Sequence, residues 1–139
     1  MGFRKAYGNT WSENGWRMCN RDECELITVE GADARYTRAV IVRSGVAATI
    51  MKAFLTLLHR EYEPIDLYRD GVGDDWGWSL TNDVGNSNHL SGTAVDYNAT
   101  RYPWKRYTMT DAQRSTVRRL VREFNNAVGC PAIYWGGEW

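Results

Sequence analysis

The sequence predicts an α+β domain in which a small antiparallel sheet is packed by two main helices. Two stretches, 45–62 and 110–128, repeat apolar residues at helical spacing. Short apolar or β-branched runs are scattered between them and separated by turn-forming residues, as strands of a small sheet would be. With 43% hydrophobic residues in 139, the chain can build one real core.

Residues 1–37 are polar, with Gly, Asn and Trp scattered without period, and read as an irregular N-terminal arm of the same domain, with short strand character near Leu26–Val29. Ala39-Val40-Ile41-Val42 reads as a strand or a core-facing lead-in. Ser44 is placed to cap a helix over about 45–62. In it Val46, Ile50, Phe54 and Leu58 recur every four residues, and Ala47, Met51 and Leu55 widen the stripe. Pro64 closes the helix, and His59 near its end reads as a helix C-terminal cation. Ile65–Tyr68 alternates as a strand, followed by a Gly/Asp loop over 70–75, Trp76-Gly77-Trp78 and a polar loop through Asn88. Gly92–Tyr97 reads as a further strand. Thr110 with Gln113 forms a capping box for the second helix, whose stripe is Val117, Leu120, Val121, Phe124 and Val128, with Gly129 just past its end. Ala132–Trp135 reads as a last strand.

Lys+Arg and Asp+Glu balance at 17 each, so no general attraction for nucleic acid is indicated. Arg114, Arg118, Arg119 and Arg122 have the spacing of a solvated helix face. No segment approaches the roughly 18 apolar residues of a membrane span, and no apolar stretch follows Met1–Lys5 as in a secretory signal. The seven Trp and eight Tyr weakly favour a ligand groove. The three Cys argue against a full disulfide framework. Cys19 and Cys24 could pair or bind a metal, though reduced thiols are the simpler expectation, and Cys130 reads as a small buried hydrophobe.

Chemistry concentrates in Ser87–Asp96. If Gly92–Tyr97 is a strand, Gly92, Ala94 and Asp96 share a face, and the two small residues leave space beside the carboxylate. His89, in the preceding turn, can fold over that space. Imidazole nitrogen and carboxylate oxygen then meet at one point, which is two ligands of a divalent zinc site. Taken on spacing alone, His89 could equally be a hydrogen-bonded loop histidine.

The pattern Ser87-x-His89-x-x-Gly92-x-Ala94-x-Asp96 resembles the signature of the zinc D-alanyl-D-alanine carboxypeptidase and L-alanyl-D-glutamate endopeptidase family. The stretch Asn86–Thr100 and the ending Trp135-Gly136-Gly137-Glu138-Trp139 are similar to the peptidase domain of mycobacteriophage-type endolysins. The resemblance covers about residues 38–139. It implies a peptidase domain of the hedgehog/D-Ala-D-Ala-peptidase type over that range and a zinc cofactor held by His89 and Asp96. It implies that Ser87 contacts substrate and that Arg69 stabilises the substrate carbonyl oxygen, with a surface salt-bridge role as the alternative for Arg69. Trp76 and Trp78 either wall the groove or pack in the core.

The expected function is therefore a peptidoglycan-degrading zinc metallopeptidase domain of a phage endolysin. It would be monomeric, made in the host cytoplasm and acting on the cell wall after holin-dependent release. In the family an Asp/Glu-x-x-His element after the W-G-G-x-W segment supplies the third ligand and the general base. The chain ends at Trp139 without it, so the expectation is a C-terminally truncated domain with weak zinc binding and little activity. A non-catalytic peptidoglycan-binding fragment of the same fold is the alternative. A metal-free His–Asp hydrolase using Ser87 or Ser91 lacks an oxyanion motif.

Overall fold

The computed structural model describes residues 4–29, 40–65, 75–103 and 106–138. Strands β1 (Cys24–Ile27) and β2 (Val40–Arg43) pair antiparallel, with Cys24 opposite Arg43 and Ile27 opposite Val40. β2 alternates as its sequence requires, with Val40 and Val42 buried. Helix α1 (Val46–Glu61) packs on this sheet, and α2 (Asp111–Val128) packs on α1 through an edge-on contact of Phe54 with Phe124 at 5.2 Å. The result is the expected α+β arrangement of two antiparallel strands and two main helices.

One core joins sheet and helices through Ile27, Val40, Val42, Ala48, Phe54, Leu55, Leu58, Ile65 and Leu120. A second, smaller core of Ala6, Met18 and Leu90 lies under the N-terminal arm. The arm is irregular but stitched, with isolated antiparallel bridges Ala6–Asn9 and Trp11–Arg17. None of the described helices is long and apolar enough to cross a membrane.

The stripe of α1 is rotated relative to the four-residue repeat. Ala48, Phe54, Leu55 and Leu58 are buried, whereas Val46 is 61% exposed. The N-cap is Gly45 rather than Ser44, and it makes no side-chain cap. The Ser44 N–H is instead donated to the Glu23 carbonyl (3.0 Å), which ties the helix entrance to the start of β1. At the other end, His59 Nδ1 accepts the Ile65 N–H at 3.1 Å, so the ring closes the C-terminus as an acceptor.

α2 follows its sequence closely. Thr110 Oγ1 accepts from Gln113 N–H (3.1 Å), Gln113 Oε1 accepts from Thr110 N–H (2.8 Å), and Gly129 ends the helix in the left-handed region. Arg118, Arg119 and Arg122 are solvent-facing, and Arg119 pairs with Glu123 at 3.1 Å. Val128, counted in the stripe, is exposed.

Two expected strands do not form. Over 92–97 the small hydroxyl residues serve a turn. Ser91 Oγ donates to the Asn88 carbonyl (2.9 Å), Thr93 N–H donates to the same oxygen (3.0 Å), and Asp96 alone makes a bridge, to Trp76. Over 132–135 the backbone finds an amide side chain in place of a strand: Asn125 accepts from Ile133 N–H (2.8 Å) and donates to its carbonyl (2.9 Å). Residues 66–74, with most of the Ile65–Tyr68 strand, the Gly/Asp loop and Arg69, lie outside the described residues. Cys130 is exposed, contrary to expectation, because it follows the open end of α2. Cys19 and Cys24 are buried free thiols 3.7 Å apart. Burial raises both, and the neighbouring Cys19 helps push Cys24 up to about 12.

Candidate metal centre

The site stands on the 3-10 turn Asn88–Ser91, which Ser87 starts and Gly92 stops. Ser87 Oγ accepts the His89 N–H at 3.2 Å. Gly92 lies in the left-handed region at φ 71°, where a side chain is strained, and a Cβ there would sit 2.7 Å from Arg43 N. That clearance lets the Arg43 N–H reach the Gly92 carbonyl at 2.8 Å, so the turn is docked on β2. From the other side of the site, Trp78 N–H reaches the Ile41 carbonyl at 2.6 Å.

His89 Nδ1 lies 2.8 Å from the Gly77 carbonyl oxygen. A carbonyl only accepts, so Nδ1 carries the proton, and in the neutral ring Nε2 presents its lone pair. Nε2 faces Asp96 Oδ2 at 3.4 Å. This is longer than the ~2.7–3.2 Å of an ordinary N–H···O bond. Two ligand atoms at ~2.0–2.1 Å from a tetrahedral zinc lie about 3.3 Å apart, which fits. The Nδ1–H···O=C bond is the outer contact that orients a metal-binding imidazole. Asp96 is held by its backbone, which exchanges both hydrogen bonds with Trp76 (3.0 and 2.8 Å).

The His89 side chain is 18% exposed and that of Asp96 49%, so the pair opens to solvent through the carboxylate. Burial disfavours the charged imidazolium, but the Asp96 carboxylate and the Gly77 carbonyl outweigh it, and the His89 pKa is raised. Among the described residues no group of three His, Cys, Asp or Glu gathers around a common point. His89 and Asp96 thus fit a shared ion as a two-ligand set.

The other expected site residues divide. Ser87 caps the turn by accepting the His89 N–H, which leaves its hydroxyl free to donate. Trp76 is 55% exposed and adjoins Asp96 through the backbone bridge. Trp78 packs against the N-terminal arm. Its Nε1–H is donated to the Cys19 carbonyl (3.0 Å), and the Arg4 guanidinium lies over its ring at 5.6 Å. Arg69 is outside the described residues.

Sequence reasoning missed Gly77, whose carbonyl orients His89. Its Cβ would stand 2.1 Å from the Ile41 carbonyl oxygen, so only glycine lets that segment reach β2. A glycine between two tryptophans was the available signal of a close backbone approach.

No curated protein and no solved structure matches the chain. Residues 81–139, which hold Ser87, His89 and Asp96 but fewer than half of the 139 residues, match the model of a family described as D-alanyl-D-alanine carboxypeptidase.

Proposed function

We propose that the chain is a zinc peptidase domain that cuts stem-peptide or cross-link bonds in bacterial peptidoglycan, as the enzymatic part of a phage endolysin. The observation that carries this reading is the 3.4 Å separation of His89 Nε2 and Asp96 Oδ2, with Nδ1 committed to a carbonyl, inside the stretch that matches a cell-wall peptidase family. His89 and Asp96 would hold the zinc, which when bound supplies Lewis acidity for a peptide carbonyl. Ser87 has a hydroxyl proton to offer substrate, and the exposed Trp76 ring offers an apolar wall beside Asp96. Arg69 is proposed, on the resemblance, to stabilise the carbonyl oxygen. The reading includes a monomer that reaches the wall after release from the host cytoplasm.

The test has two readouts. Zinc titrated calorimetrically into the metal-free chain is expected to bind at one site, with His89→Ala and Asp96→Ala each lowering affinity at least tenfold. Mass spectrometry of digested peptidoglycan is expected to show only slow cleavage, as released D-alanine or as new amino termini, in keeping with a two-ligand site. Zinc binding indifferent to both substitutions would sink the proposal. Zinc-independent adsorption to cell walls without any cleavage would point to the non-catalytic module.

A further inference from the structure

The turn that carries His89 is closed from outside by a residue some seventy positions earlier. Residues 11–17 form a tight hairpin: Ser12 N–H donates to the Trp16 carbonyl (2.7 Å), and Gly15 N–H to the Ser12 carbonyl (2.9 Å). Within it, Asn14 Oδ1 accepts from Ser12 Oγ (2.6 Å) and from Trp16 N–H (3.3 Å). The amide oxygen is therefore used up inside the hairpin, which fixes the direction of the amide nitrogen. That nitrogen donates to Thr93 Oγ1 at 2.8 Å, while the Asn14 backbone N–H donates to Asn88 Oδ1 at 2.9 Å. One residue thus grips both the position before His89 and the position after the turn. The neighbouring Glu13 N–H adds a bond to the Asn86 carbonyl (2.8 Å). Beneath, Cys19 N–H and Arg4 both reach the Leu90 carbonyl (3.3 Å each), and Leu90 is fully buried against Met18 and Ala6.

We propose that Asn14 is a positioning residue for His89. By tying Asn88 to Thr93 it holds the turn at the pitch that keeps Nδ1 on the Gly77 carbonyl and Nε2 on Asp96. Asn14 lies outside the matched stretch 81–139, so the site depends on a part of the chain that the family resemblance does not reach. The inference rests on the reading of His89 and Asp96 as zinc ligands for its functional meaning, but its geometry can be tested without metal.

The chain has only two histidines, so His59 serves as an internal control in imidazole nitrogen NMR of the metal-free protein. The spectra are taken at alkaline pH, where the ring is neutral, and wild-type His89 is expected to carry its proton on Nδ1. In Asn14→Ala and in Thr93→Val its ring nitrogens are expected to move toward a mixed tautomer while those of His59 stay in place. Thr93→Ser, which keeps the hydroxyl, is expected to restore the wild-type spectrum. Zinc affinity should fall about tenfold or more in Asn14→Ala and Thr93→Val, the usual range for losing an outer contact. The double variant should lose little beyond either single one. Unchanged His89 ring signals in both Asn14→Ala and Thr93→Val would overturn the proposal. If zinc binding proves indifferent to His89→Ala, the metal reading fails, and the ring spectra still decide whether Asn14 sets the imidazole.

Discussion

Replacing Gly77 by alanine would put a methyl carbon 2.1 Å from the Ile41 carbonyl oxygen and 2.9 Å from Val40 Cγ1. An ordinary contact with that oxygen needs about 3.4 Å, so the segment has to retreat by roughly 1 Å from a strand that is itself fully packed. The retreat strains or breaks the Trp78 N–H bond to Ile41 and draws the Gly77 carbonyl away from His89. Overpacking costs about 1–3 kcal/mol, and each weakened hydrogen bond about 0.5–1.5 kcal/mol. A loss of about 3 kcal/mol is expected, close to a 10 °C fall in Tm for a domain of this size. Urea unfolding followed by tryptophan fluorescence measures the stability, and calorimetry of zinc binding measures the site. Zinc affinity should drop more than in a variant destabilised equally elsewhere. A Gly77→Ala protein with the wild-type midpoint and wild-type zinc affinity would refute the reasoning that this glycine exists for close approach to β2.

Asn98 is fully buried at φ 51°, its side-chain amide donates to Glu63 Oε2 (2.8 Å) and the Pro64 carbonyl (3.1 Å), and its backbone N–H donates to Asp75 Oδ1 (2.7 Å). Asn98→Ala is expected to cost about 3 kcal/mol, the sum of a lost charge-assisted bond and an alanine in the left-handed region, read by urea unfolding. Thr110→Ala removes only the α2 cap and should cost about 1 kcal/mol with no change in zinc affinity. Under native conditions at pH 8 a thiol reagent should label one cysteine quickly, Cys130, while Cys19 and Cys24 react only on unfolding; mapping by mass spectrometry checks this. Because the Cys24 pKa is raised from 9.0 to about 12, its contribution to stability is complete below pH 9 and is lost as pH rises toward 12. Cys24→Ala should flatten that alkaline decline in a pH series of unfolding midpoints.

The parts that sequence reading reached are those written in neighbouring residues. The Thr110–Gln113 box and Gly129 gave α2 its ends, and the seven-residue spacing brought His89 to Asp96. The route to that pair differed from the strand expected over 92–97, because Ser91 and Thr93 satisfy Asn88 locally before any ladder can form. α1 was legible as a helix, but which face is buried depends on how Gly45 admits the chain to it, and the stripe turned from Val46 to Ala48. The Asn14–Asn88 tie spans 74 positions, and no local periodicity encodes such a contact.

The N–H of Trp78 and the C=O of Gly77 belong to one peptide group, a rigid plane whose two polar ends point in opposite directions. One end is bonded to the sheet and the other to the imidazole. A single flat unit therefore joins the sheet to the imidazole, so a shift of the Ile41 backbone is passed on to the histidine ring. On the proposed reading of His89 and Asp96 as metal ligands, retuning of metal preference can begin at sheet positions that never touch the ion.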